Sequence, residues 1–347
     1  MRAAGLVVIV LLTPLALGCA GSPLPGRIAE FTGPTMGTTW SVKVVQGDRR
    51  LTPDESARID ARIRDDLGRI TLLMSTWDAE SELSRFNRSA TTDPFPVSPE
   101  TAEVFQWSFE MARVTDGALD VTVAPLLAAW GFGTRPQAGG APDEETIERL
   151  RRETGMHQLE LDPDGQWVRK TRPGIQVDFS AIAPGYAADR LAGTLAGVFG
   201  LSDFLVDIGG ELVARGRNDQ GDPWQVAIER PVRQGRPIAR IVPLEEAAIA
   251  TSGDYRNYRE VAGQRVTHIV DPRTGRPVQH TLASATVVDE ACVRADALAT
   301  ALMVLGPEDA MALSHRLDLA AMLLVRNASG GFDEWLSPRF ETLMRTE

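Results

Sequence analysis

Between Phe204 and Asp289 the chain carries only short strand-like runs separated by turn formers, while helical patterns lie before and after that stretch. A doubly wound sheet needs strands and helices in alternation. Here they come in blocks, so the expected fold class is α+β. The helical blocks announce their own starts. Thr52-Pro53-Asp54-Glu55 combines an N-cap threonine, a proline in the first turn and a glutamate that completes a capping box. The helix it opens should run to about Leu73, with Ile59, Ile63, Leu67 and Ile70 on its buried face. Ser98-Pro99 starts another, carrying Phe105, Phe109 and Met111. Val121–Trp130 is short, apolar and helical in pattern, and Gly133–Asp143 is a Gly/Pro-rich loop. Helices are also expected over Gly185–Phe199, Val293–Leu305 and from Pro307 onward. Strands are expected over Thr39–Gln46 and Leu319–Val325, with β pattern from Gln158 to Asp178 around the hairpin signal Asp162-Pro-Asp-Gly165.

A hydrophobic fraction of 43% over 347 residues supports a sizeable core. The formal net charge of −11 leaves no basic stripe for nucleic acid and disfavours an anionic lipid surface. Membrane attachment, if present, is therefore covalent. Residues 1–18 read as an export signal: Arg2 is the n-region charge and Leu6–Leu17 a short h-region interrupted by Pro14. The run ends in Ala16-Leu17-Gly18-Cys19, which resembles a bacterial lipobox, with Ala16 in the place of its usual leucine and Leu15 one step further back. Cleavage before Cys19 and lipidation of its thiol are expected, followed by a tether over residues 19–30 and a folded domain over 31–347. Cys292 then has no intrachain partner and reads as a small buried hydrophobe.

Several strings carry possible chemistry. Ser252-Gly253-Asp254 and Asp271-Pro-Arg-Thr-Gly275 are polar turn-forming clusters that bracket His268. Small hydroxyls, backbone N–H groups, carboxylates and one imidazole suit the handling of a phosphate ester. Asp178-Phe-Ser-Ala-Ile-Ala stands at an expected strand-to-helix junction, where it could meet an ion or simply cap. Asp296-Ala-Leu-Ala-Thr300 puts a carboxylate and a hydroxyl on one helix face, hard oxygens of the kind Mg²⁺ takes. Asp207-Ile-Gly-Gly-Glu211 reads equally well as a ligand approach or a tight turn. None of the four histidines has a zinc-type spacing, and no Walker A or Rossmann glycine pattern is present.

These strings occur in an order that resembles the ApbE family of periplasmic flavin transferases. The resemblance runs through Met36-Gly-Thr, Ser75-Thr-Trp77 to Ser81-Glu-Leu-Ser-Arg-Phe-Asn87, Thr115-Asp-Gly-Ala-Leu-Asp-Val-Thr-Val-Ala-Pro125, Asp178-Phe-Ser-Ala-Ile-Ala183, Val206-Asp-Ile-Gly-Gly-Glu211, Ala250-Thr-Ser-Gly-Asp-Tyr255, His268-Ile-Val-Asp-Pro-Arg-Thr-Gly275 and Ala295-Asp-Ala-Leu-Ala-Thr300. It implies Mg²⁺-dependent transfer of FMN from FAD to a Thr or Ser hydroxyl of a target protein, with release of AMP. It implies a mixed fold with a T-fold-like part, FAD lying between the two parts. By position, Met36, Trp77, Ala118, Leu119, Asp120, Asp178 and Ile269 would contact FAD. The Ala181 carbonyl, Asp296 and Thr300 would hold Mg²⁺, and His268 is the candidate general base. The implied targets are subunits of electron-transport complexes, and the implied location is the periplasmic face of a bacterial membrane. Inner and outer membrane stay open, although Ala20 after the cysteine favours the outer. One position departs from the family: Pro184 stands where a lysine is common. Either FAD is held more weakly, or Arg256 or Arg273 supplies the missing cation. Two other readings of the same residues are an FAD pyrophosphatase with water as acceptor and a non-catalytic FAD-binding lipoprotein.

Overall fold

A computed structural model describes residues 28–345, apart from 48–49, 135–139, 233, 256–257 and 262–263. The export signal, Cys19 and Arg256 lie outside the described residues. Among those described, eight antiparallel strands form one sheet in chain order: Ile28–Thr35, Thr38–Val45, Phe204–Ile208, Glu211–Arg215, Ala247–Gly253, Leu282–Asp289, Ala320–Arg326 and Phe332–Leu336. Helices and smaller hairpins are inserted between them. The fold class is α+β, as expected.

Both faces of the sheet are covered. Phe204, Val206 and Ile208 point into a large core shared with the helices, while Leu205 joins Leu212, Ala214, Met322 and Leu324 on the other face. Phe204–Ile208 is therefore buried at every position, as a strand covered on both sides must be. The second face is closed by the hairpin Trp224–Glu229/Ile238–Leu244 and by Phe340 of the helix Pro338–Leu343. On the first face lie the helices Ala183–Phe199 and Cys292–Leu305. The second of these is apolar nearly all round, the pattern of a helix packed on all sides. Cys292 in its first turn is fully buried, and burial pushes its thiol pKa up. It behaves as the small hydrophobe anticipated.

The capping box at Thr52 is present, and the helix Pro53–Met74 buries the four expected residues together with Met74. Three expectations need correction. Strand pairing begins at Ile28, with Ile28, Ala29 and Glu30 opposite Val45, Val44 and Lys43. The last residues assigned to the tether thus belong to the sheet, because hairpin pairing recruits backbone whatever its composition. Ser252 and Gly253 are not in a turn; they lie in strand, opposite Ala285 and Ser284. Third, the strand pattern ends at Lys170, and residues 175–179 have no ladder partner. Asp178 consequently does not follow a strand. Its neighbour Val177 instead bonds a side chain: Asn87 Oδ1 accepts from the Val177 N–H at 2.7 Å, and Asn87 Nδ2 donates to its carbonyl at 2.8 Å. The helix bearing Asn87, Glu82–Arg88, was not anticipated, nor was Glu144–Arg151.

Candidate active site

A cavity of about 380 Å³ opens where the strand Ala247–Gly253 and the helix Cys292–Leu305 meet the segments around residues 118–123 and 178–181. Asp296 and Thr300 both reach it, one turn apart on the helix. The Thr300 hydroxyl is 2.9 Å from that of Ser252 on the neighbouring strand. Asp296 is 5% exposed and its Oδ2 accepts one hydrogen bond, from the Gly185 N–H at 3.0 Å. Burial pushes its pKa up; the Gly185 N–H opposes this and the nearby Asp189 carboxylate reinforces it. Asp189 has a task of its own: it accepts the N–H groups of Cys292 and Val293, each at 2.9 Å. That caps a helix whose own N-cap residue, Ala291, has no side-chain oxygen. Gly185 allows the two helices this approach, since a Cβ there would sit 2.5 Å from the Cys292 carbonyl oxygen and 2.8 Å from Asp296 Cβ.

The opposite wall is irregular. Thr115 ends the helix Pro99–Val114, and its hydroxyl accepts from the Leu119 N–H at 3.1 Å. Asp116 and Gly117 take positive φ, turning Ala118 and Leu119 into the cavity lining. Asp120 lines the cavity too, though its carboxylate is engaged: Oδ1 accepts from Thr122 N–H and hydroxyl, and Oδ2 from Met156 N–H at 3.0 Å. Burial raises its pKa and those bonds oppose the rise. Asp178 donates its N–H to the Val121 carbonyl at 2.8 Å and accepts the Ser180 N–H at 2.8 Å. It borders the cavity with Ala181. His268 and Ile269 complete the lining, His268 half-buried with its ring edge-on to Phe132 at 6.4 Å.

Two residues assigned to FAD by resemblance lie elsewhere. Met36 takes φ 45° in the turn between the first two strands and packs against the large core, outside the cavity lining. Trp77 is 77% exposed beside a second groove, whose walls include Asn87, Val177 and Asp178. Asp178 borders both hollows, so Trp77 stands next to the cavity and not in it. The Arg273 guanidinium, considered as a replacement for the cation missing at Pro184, makes two 2.9 Å contacts with Asp271 and lies outside the cavity lining. Asp254 also turns away, paired with Arg326 at 2.9 Å.

The model of the ApbE family matches residues 36–323. The chain belongs to the ApbE family. Among its relatives is a protein of Klebsiella pneumoniae named FAD:protein FMN transferase, 39% identical over an alignment that covers 99% of this chain and 97% of that one. A relative of the same name from Escherichia coli K12 is 37% identical, with 95% of each chain covered. The solved structure of flavin transferase ApbE from Vibrio cholerae superposes with a TM-score of 0.82 at 38% identity, covering 92% of this chain and 99% of that one. The apo flavinyl transferase ApbE from Pseudomonas stutzeri gives 0.82 at 37% identity, with 92% and 98% covered.

In this ApbE-family chain the cavity also takes residues given no individual FAD, metal or catalytic role from sequence. Thr251 and Ser252 enter it from the strand Ala247–Gly253, together with Tyr255, Glu211 and Ser180. The signal for Ser252 was available, since its hydroxyl lies within a quoted motif. For Glu211 the available signal was the pair Gly209-Gly210, both at positive φ, which forms the turn before it.

Proposed function

We propose that this protein transfers the FMN part of FAD to a hydroxyl of an acceptor protein and releases AMP. The observation that carries this reading is the convergence of Asp178, Ala181, His268, Asp296 and Thr300 on one cavity, from three separate stretches of an ApbE-family chain. FAD is the substrate. The acceptor oxygen attacks the FMN-side phosphorus, the bond from that phosphorus to the bridging oxygen breaks, and AMP leaves with the bridging oxygen. The hydroxyl proton passes to a base, for which His268 is the candidate. A neutral imidazole in that role contributes roughly 10²–10⁴-fold.

The residues fit a divalent cation. Asp296 is a buried carboxylate with one hydrogen bond, and it forms none of the ion pairs found among the described residues. Such a charge is costly unless a cation compensates it. With the Thr300 hydroxyl and the Ala181 carbonyl it offers the hard oxygen donors that Mg²⁺ prefers. When bound, the ion would neutralise charge on the pyrophosphate and help AMP leave. The protein's own groups orient: Gly185 N–H holds one carboxylate oxygen, and Ser252 holds the Thr300 hydroxyl.

The acceptor class is a subunit of a membrane redox complex, and the protein acts at the periplasmic face, held by lipid on Cys19. Pro184 stands in the first turn of its helix, so FAD is bound more weakly or Arg256, which lies outside the described residues, supplies the missing cation. Incubation with FAD, Mg²⁺ and a threonine-containing acceptor tests the reading through the intact mass of the acceptor. The expected gain is one FMN moiety, lost on EDTA treatment. Release of free FMN and AMP without a mass gain would replace transfer by FAD hydrolysis, and neither product would leave a flavin binder.

A further inference from the structure

We infer that Asn87 and Lys170 are positioning residues for the cavity-lining segment Val177–Ala181, an inference that builds on the FAD site proposed above. Neither side chain lines the cavity. The segment has no strand partner, yet Ile175, Val177 and Phe179 are fully buried or nearly so. Buried backbone groups need partners. Those of Val177 find both in a single carboxamide: Asn87 accepts from its N–H at 2.7 Å and donates to its carbonyl at 2.8 Å. One side chain thus does locally what a neighbouring strand would do. The next residue, Asp178, is tied on the other side to the Val121 carbonyl at 2.8 Å. The segment is held between Asn87 and the residue that follows Asp120.

Asn87 is in turn placed by Lys170. Its helix, Glu82–Arg88, has only seven residues, and a single N–H, that of Ser89, is shared between the Arg85 and Phe86 carbonyls at its end. The Lys170 ammonium, 2% exposed, donates to the carbonyls of Phe86 at 2.7 Å, Ser89 at 3.2 Å and Asn87 itself at 3.3 Å. It also lies 4.5 Å from the centre of the Phe86 ring. A buried cation at a helix C-terminus suits the helix dipole. It has no carboxylate partner among the ion pairs of the described residues. An apolar side chain would fill the same space without the cost of burying charge. What the ammonium adds is direction: it converges three carbonyls of the turn that carries Asn87. Burial pushes its pKa down to about 8. Phe86, Phe105 and Phe179 stack edge-to-face at 5.8 and 5.0 Å between centres, so the same residues are also packed together. Packing alone does not set the backbone direction at Val177; the paired hydrogen bonds do.

The test uses Asn87→Ala, Asn87→Asp, and Lys170→Met in the unliganded protein and with FAD. Asn87→Asp keeps the acceptor for the Val177 N–H but sets a carboxylate oxygen against its carbonyl, which replaces a hydrogen bond by repulsion. Hydrogen exchange should show the amides of Val177 and Asp178 opening about tenfold faster in Asn87→Ala and Lys170→Met, and at least as fast in Asn87→Asp. Amides of the strand Leu282–Asp289 should keep wild-type protection. FAD affinity, read by flavin fluorescence, should fall by about tenfold with Asn87→Ala, and KM for FAD should rise more than kcat falls. Wild-type protection at Val177 and Asp178 in these variants would overturn the inference. So would loss of that protection with FAD affinity unchanged, or a uniform rise in exchange across the sheet. If wild-type protein itself binds no FAD, the proposed function fails, while the exchange data still decide whether Asn87 and Lys170 hold the segment.

Discussion

The cavity has two walls that present a carboxylate, and they are made in opposite ways. On the helical wall, Asp296 and Thr300 lie a turn apart on Cys292–Leu305, and regular geometry alone puts them side by side. On the irregular wall, Asp178 sits in backbone with no ladder, held by Asn87 and Val121 from distant parts of the chain. A periodic element carries its own geometry. An irregular one borrows it, so its shape depends on residues such as Asn87 that lie outside the cavity lining.

Removing the carboxylate on the helical wall should have the largest effect. Asp296→Ala is expected to slow FMN transfer by at least about 100-fold, matching EDTA treatment, as read from the rate of acceptor mass gain. Because burial already disfavours this charge, the variant should melt no lower than wild type at pH 8 in the absence of metal. A loss of activity accompanied by unfolding would make Asp296 structural and erase the contrast between the walls.

The seam behind that wall comes next. Gly185→Ala places a Cβ against backbone of the neighbouring helix and should cost about 1–3 kcal/mol in denaturant unfolding, with weaker metal dependence of transfer. A neutral outcome would mean the helices can part without disturbing Asp296.

Asp207 offers a buried carboxylate outside the cavity lining. Its pKa is pushed up to about 7 by burial, against the Gly210 N–H that it accepts at 3.0 Å. The folded state therefore holds its proton more tightly than the unfolded chain. Its contribution is present at low pH and is lost as pH rises from the ordinary aspartate range through about 7. Asp207→Asn should then be more stable than wild type by up to about 4 kcal/mol at pH 8, with the gain shrinking towards pH 4. Thermal melts at the two pH values check the sign.

The smallest effects belong to the rim. Trp77→Ala should change stability by less than about 0.5 kcal/mol, because the ring is exposed, and should weaken FAD binding by roughly 3–10-fold. Pro184→Lys, read by FAD titration, should tighten binding by a similar factor; equal affinities would remove any role for the missing family lysine.

The sequence alone carried the features that are local. The Thr52 capping box, the face of Ile59, Ile63, Leu67 and Ile70 and the pairing of Asp296 with Thr300 each depend on spacing within one element, and the α+β class on the order of elements along the chain. Ordered motifs also carried the family. Tertiary structure decided what depends on partners far along the chain. It joined Ile28–Glu30 to the sheet, put Ser252 in a strand against Thr300, left Met36 outside the cavity and engaged Arg273 with Asp271. It also supplied Val177 with a side chain 90 residues away instead of a strand. Periodicity records which face of an element is buried, whereas the partner that satisfies a buried backbone group is chosen only when the chain closes on itself.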